Sequence, residues 1–213
     1  MPYIMSYSHR PGIPGITEDG YWKEEWGSGI RKKIELFLDP WMYGLPTDAK
    51  YFPSSGYLHN KPKNIPNIFC QGWWFCDQEI KNIIEDLEPG RHCFYPYSLR
   101  SSKEGPVVKE LFIIHPQDPI TSIDVEKSPK ALPQKYNDKY EIKAGGMGVK
   151  PNIKRGHYAV LTEDYPKDRH IWRDTRVETQ NGIFISDHLH DVIKQYHNIA
   201  VVFWQLKSAN KFK

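Results

Sequence analysis

The residues best suited to chemistry crowd into "SDHLHD", residues 186–191, followed by His197. Two histidines beside two aspartates raise a metal site or an acid–base pair. A helix that ligates zinc places its ligands four positions apart, as in H-E-x-x-H. His188 and His190 are only two positions apart. Each helical step turns about 100°, so their rings leave nearly opposite sides of a helix. Asp187 and Asp191 are one turn apart, but no second cluster in the sequence supplies the remaining ligands. Asp187 also falls in the first turn, where the helix dipole favours a negative charge. The expectation is a solvated helix face without metal. On that reading His188→Ala and His190→Ala leave the fold nearly unchanged, whereas Ile193→Asp forces a charge into the core.

Other constellations are weaker. Cys93 has His92, His115, His157 and His170 as candidate partners for a Cys–His nucleophile, yet nothing local activates its thiol. "AGGMG", residues 144–148, lacks both the Lys-Ser/Thr of a P-loop and the strand–helix frame of a dinucleotide site. The acids of "TEDYPKD", residues 162–168, lie in a turn, where Asp is common for conformational reasons. No catalytic, cofactor-binding or metal-ligating residue is assigned, and no cofactor is expected.

One stretch reads as a contact surface. "TEDGYWKEEW", residues 17–26, interleaves Glu18, Asp19, Glu24 and Glu25 with Tyr21, Trp22 and Trp26. Aromatic anchors inside a charged rim are what protein interfaces favour. These residues are the expected partner contacts; the alternative is loop aromatics folded onto the core.

Composition narrows the field. The 213 residues suit a single domain, residues 1–213. The net charge is +3 and the pI about 8.6. The basic residues are scattered rather than gathered on one stripe, which argues against nucleic acid as a partner. Three cysteines without a C-x-x-C pair argue against a disulfide framework and a cysteine zinc site. No apolar run is long enough to span a membrane, and no signal peptide is visible. The expected location is the cytoplasm.

The elements that must position these residues follow from periodicity. Residues 1–68 form a loop-rich N-terminal third, punctuated by Pro and Gly, with a short helix expected in "SGIRKKIELFLD". Residues 69–213 form an α+β core. "FCQGWWFC" reads as one buried strand. Asp77 caps a helix in which Ile80, Ile83, Ile84 and Leu87 share a face. "HCFYPYSL" reads as an edge strand because of Pro96. "VVKELFIIH" and "DPITSIDV" give further strands. A polar excursion spans residues 126–156, after which "HYAVLT" resumes the sheet and "RHIWRDT" extends again. "NGIFIS", a helix from Asp187 to about Tyr196, and "IAVVFWQL" complete the chain.

The two helices share one grammar. Asp77 aligns with Ser186, Ile80 with Leu189, Ile83 and Ile84 with Val192 and Ile193, and Leu87 with Tyr196. Each unit is an apolar strand, a polar cap, an amphipathic helix and a strand ending in aromatics. The fold expected is a mixed, mostly antiparallel sheet carrying two main amphipathic helices.

Two blocks resemble a known family. "LEPGRHCFYPYSLRSSKEGPVVKELFIIHP" is similar to its middle segment, and "HIWRDTRVETQNGIFISDHLHDVIKQYHNIAVVFWQ" to its C-terminal segment. The family comprises bacterial immunity proteins associated with polymorphic toxin systems. The resemblance implies a non-enzymatic protein that binds and neutralises a cognate protein toxin by occlusion. It carries no catalytic residues, and specificity would sit in loops, here residues 10–65 and 126–156. The basic excursion would meet an acidic toxin surface. The other readings are a scaffold domain without a toxin partner and a small hydrolase built on His and Asp.

Overall fold

The computed structural model describes residues 2–7, 14–18, 41, 44–124, 127–128, 160–174, 182–196 and 198–208. The expected helix at residues 28–39 and most of the 126–156 excursion lie outside the described residues. In chain order the strands are β1 (Tyr3–Tyr7), β2 (Ile16–Glu18), β3 (Ser55–Leu58), β4 (Ile68–Gln71), β5 (Trp73–Cys76), β6 (Cys93–Arg100) and β7 (Val107–His115). They continue with β8 (Ile123–Asp124), β9 (Val160–Leu161), β10 (Ile171–Trp172), β11 (Gly182–Ile185), β12 (Ile199–Gln205) and β13 (Lys207–Ser208). Helix α1 (Gln78–Leu87) follows β5, and α2 (Asp187–Ile193) follows β11.

Among the described residues, ten strands form one sheet in the order β10-β11-β1-β12-β4-β5-β7-β6-β3-β2. Its pairs are antiparallel except β12–β4 and β3–β6. The fold is therefore α+β with a mixed, mostly antiparallel sheet, as the periodicity predicts. Strands β13, β9 and β8 form a separate three-stranded sheet. "HYAVLT" thus joins this second sheet rather than resuming the first.

"FCQGWWFC" is a hairpin, not one strand. The register Gln71↔Trp73, Cys70↔Trp74 and Phe69↔Phe75 centres on Gly72. Gly72 has φ +74°, a conformation that glycine reaches without steric cost. A continuous apolar run hid the turn because both arms are buried on both faces. β6 is likewise not a plain edge strand. It pairs with β7 along its whole length, but with β3 only from Ser98 onward. Pro96, which has no N–H to donate, sits in the part that lacks β3. Both helical caps are as expected: Asp77 Oδ1 accepts from the N–H of Ile80 at 3.2 Å, and Ser186 Oγ from that of Leu189 at 3.1 Å. Pro89 and Gly90 (φ +66°) follow the end of α1. Helix α2 ends at Ile193, before Tyr196, with residues 194–195 in a turn.

Both helices pack on one face of the sheet. Ile80 and Ile84 of α1 join Leu189 and Ile193 of α2 in a core with Met5, Ile68, Trp74, Cys76, Ile114 and Ile185. The opposite face is covered in two parts. Trp41, Phe52 and neighbouring N-terminal residues pack on Phe69, Phe75, Tyr97 and Ile113. The small sheet contributes Ile123 and Leu161, which pack on Trp172, Phe184 and Ile4. The described part of the loop-rich segment is held by its aromatics: Trp41 meets Trp73 edge-on at 5.0 Å and Phe52 stacks on Tyr95 at 3.8 Å. Backbone acceptors in the same segment are taken by Tyr95 and His115 from the sheet.

The internal echo resolves through handedness. β11 and β12 are both antiparallel to β1, so they run parallel with one strand between them. β5 and β6 flank β7 in the same way. Both units step in the same direction along the sheet, yet their strands point oppositely, because β12 is parallel to β4 and β4 antiparallel to β5. With both helices on one face, the two crossovers have opposite hands. Nearly all such crossovers are right-handed, and a duplicated unit keeps its hand. The shared grammar is therefore a repeated local solution rather than a structural repeat. Ile84→Ala is expected to cost about 2–5 kcal/mol in urea unfolding. Ile193→Asp, which buries a charge where exposure is 0%, should remove the cooperative transition altogether.

Candidate functional site

The "SDHLHD" stretch splits as its geometry requires, but not in the way expected for His190. Asp187, His188 and Asp191 are exposed, whereas His190 is buried. Its ring stacks on Tyr3 at 3.8 Å and meets Phe203 edge-on at 4.7 Å. Its Nδ1 pairs with Asp191 Oδ1 at 2.8 Å. The solvated-face expectation is thus corrected for this residue. Strand β1, in the sequence far from α2, is inserted between β11 and β12 and brings Tyr3 under the helix. No local pattern in 182–206 carries that information.

Chemistry-bearing side chains converge elsewhere, where the two blocks that resemble the immunity family meet. Glu88 caps the C-terminus of α1 and its side chain is 3% exposed. Its Oε2 accepts from the backbone N–H of His170 at 3.0 Å and of Ile171 at 2.8 Å. It also accepts from His92: Gln117 N–H donates to His92 Nδ1, which leaves the proton on Nε2, 3.1 Å from the carboxylate. Arg91 and Arg169 approach Oε1 at 3.6 and 3.9 Å. Both arginines also pair with Asp118, a non-glycine residue at φ +62°. Burial works against the charge on Glu88, but His92 and the N–H groups of Ile171 and His170 outweigh it and hold the carboxyl below its usual range. The hydrogen bond from Arg169 lowers Asp118 as well. Ser186 Oγ, already accepting from Leu189, lies 2.9 Å from His170 Nδ1. A serine and a histidine therefore touch, but the serine is the helix cap and the pair closes a structural loop.

Of the remaining nucleophile candidates, His157 lies outside the described residues. Burial pushes the Cys70 thiol up to about 12 and Cys76 well above its usual value. A protonated thiol is a poor nucleophile. Cys93 is partly buried beside Tyr95. Burial pushes His115 down to about 4, and its Nε2–H donates to the Leu45 carbonyl at 2.9 Å. Asp174 is fully buried and accepts from Ser122 and Ile123. Among the described residues, no group of three or more His, Cys, Asp or Glu side chains is placed to hold a metal. No described helix is long and apolar enough to cross a membrane.

Of the expected partner contacts, Glu18 is described: its carboxylate accepts from Trp73 Nε1 and ties β2 to β5. Asp19, Tyr21, Trp22, Glu24, Glu25 and Trp26 lie outside the described residues. The Glu88 cluster was missed in the sequence. Its only local signal is the four-residue spacing of Glu88 and His92, which is also that of any helical pair.

A mixed α+β protein results, in which, among the described residues, Glu88, His115 and Asp174 join distant segments. The sequence pattern of the Immunity protein family (Imm11) matches residues 21–208. The chain belongs to that family. No curated protein matches it.

Two outcomes follow from this geometry. His190→Ala should cost about 1–3 kcal/mol through lost ring packing, and His188→Ala within about 0.5 kcal/mol, by urea unfolding. The acid limb of stability should have two parts. His115 binds a proton more readily when unfolded, so its contribution is complete above about pH 6.5 and falls away as the pH drops toward about 4. Glu88 contributes fully above its unfolded value and loses that contribution as the pH falls through its lowered folded value. His115→Gln should flatten the first part and Glu88→Gln the second.

Proposed function

We propose that this protein binds a cognate bacterial toxin in the cytoplasm of the producing cell and neutralises it by occlusion, without catalysis. The observation that carries the reading is membership of the immunity family over residues 21–208. The engagement of Glu88, His92, His115, His190 and the buried cysteines in structure supports it, since each would otherwise be a candidate for chemistry. Specificity then resides in loops rather than in the sheet, which is the usual division between scaffold and recognition. The segment Glu18, Asp19, Tyr21, Trp22, Glu24, Glu25 and Trp26 is the first contact candidate, with the basic excursion at residues 126–156 as a second. Tryptophan at an interface centre often contributes 2 kcal/mol or more.

Growth rescue tests the reading. Co-expression of this chain with the toxin encoded beside it should restore growth of a sensitive host, and the two purified proteins should form a stoichiometric complex. Trp22→Ala with Trp26→Ala should weaken that complex at least about tenfold, or 1.4 kcal/mol. No rescue together with no complex would end the proposal.

A further inference from the structure

A bulge in β7 borders a small surface groove whose lining is half apolar and half polar. In the β6–β7 ladder Leu99 faces Lys109 and Arg100 faces Val107, so Val108 has no partner in β6. An extra residue in one strand bends it and re-aims a side chain. Two consecutive valines are consequently exposed, Val107 at 49% and Val108 at 45%. Val108 lines a groove of about 470 Å³ with Leu58, Ile65, Pro62, Lys63 and Lys109. Strand β7 pairs with β5 only at Phe112 and Ile113, so among the described residues the Val107–Glu110 stretch has a strand on one side alone.

The charge around the groove is one-sided. No carboxylate lines it. Lys61 and Lys63 are exposed and have no ion pair among the described residues. Lys109 is held differently, by the carbonyls of Ile65 and Pro66 and by Asp77. It fixes the wall of the groove, so that of the two lysines lining it Lys63 is the one without an ion pair among the described residues. Leu58, at the groove, pairs in the sheet with Ile16, two residues before Glu18. The groove therefore borders the β2–β3 edge pair, and the aromatic and acidic segment follows β2 in the sequence.

We propose that the groove around Val108 and Lys63 is a toxin-contact surface that receives an acidic loop carrying one apolar side chain. The inference rests on the immunity reading above. The apolar side chain fills the space between Val108, Leu58 and Ile65, and the flanking carboxylates meet Lys61 and Lys63. An apolar anchor inside a charged rim supplies affinity at the centre and association rate at the edge.

The test measures binding of the purified neighbouring toxin to the full-length chain and to three variants. Val108→Asp should weaken binding at least tenfold. Lys63→Glu should weaken it three- to tenfold, with the deficit shrinking as salt rises. Lys167→Glu, in the exposed turn at residues 163–168, should bind as wild type. Val108→Ser repeats the first arm without a new charge, and thermal melts confirm that each variant is folded. A wild-type complex that Val108→Asp and Lys63→Glu bind within twofold overturns this surface and leaves the immunity reading standing. Competition by self-association of the chain at the groove, seen as dimer lost in Val108→Asp with toxin affinity unchanged, also overturns it. Absence of any wild-type complex overturns the immunity reading itself, and this surface with it.

Discussion

The Glu88 carboxylate is the clasp on which the shape of the sheet depends. It accepts from His92, immediately before β6, and from the backbone of Ile171 in β10. In the order of the sheet those strands are seven spacings apart, about 33 Å if the sheet were flat. The two hydrogen bonds, at 3.1 and 2.8 Å, are incompatible with that distance. The sheet must curl until its β10 edge returns toward the end of β7. An isolated parallel bridge between Ile120 and Asp174 and the Ile120 N–H to Arg173 carbonyl bond at 3.0 Å close the same gap. The two helices then lie in the concavity, which explains why Ile80, Ile84, Leu189 and Ile193 are all at 0% exposure.

Electrostatics make such a clasp specific rather than merely strong. Moving a carboxylate from water into a protein interior costs several kcal/mol, recovered only by well-placed partners. Here the partners come from several segments: His92, Arg91, Arg169, and the backbone N–H groups of His170 and Ile171 at the entry to β10. An arrangement with any segment displaced leaves a buried charge short of donors. Asp118 extends the cluster outward by holding Arg91 and Arg169 together. Its left-handed backbone is tolerated more readily by Asp than by most residues, and the double pairing gives that conformation a reason.

Much of this was legible in the chain, and the limit has a physical form. Asp77, Ser186, and the apolar faces of α1 and α2 are read correctly because caps and 3.6-residue periodicity are local properties. The hairpin at Gly72 was not legible, since the two exposed turn residues, Gln71 and Gly72, are a brief interruption between buried apolar arms. His190 was misread for a related reason: its neighbours Tyr3 and Phe203 come from β1 and β12. Glu88 likewise meets residues more than eighty positions away. The two blocks that resemble immunity proteins begin "LEPGRH" and "HIWRDT"; in the structure Glu88 of the first, paired with His92, meets the backbone of His170 and Ile171 of the second.

Opposite-handed crossovers and a curled sheet bear on function together. A curled sheet with helices inside it presents its convex face and its loops to a partner, while the concave face is filled. The convex face is itself covered by Trp41, Phe52 and the small sheet over much of its area. Among the described residues, the β2–β3 edge and the start of β7 remain open. Edge strands and bulges are where natural sheets either block or invite pairing. Here the edge strand β2 is three residues long and anchored by Glu18 to Trp73, which limits pairing along it. The exposed valines at the β7 bulge receive no such protection. Among the described residues the exposed large apolar side chains are Val107, Val108 and Trp204; the bulge sets the first two side by side near exposed lysines, and recognition of an acidic partner would give that juxtaposition a reason.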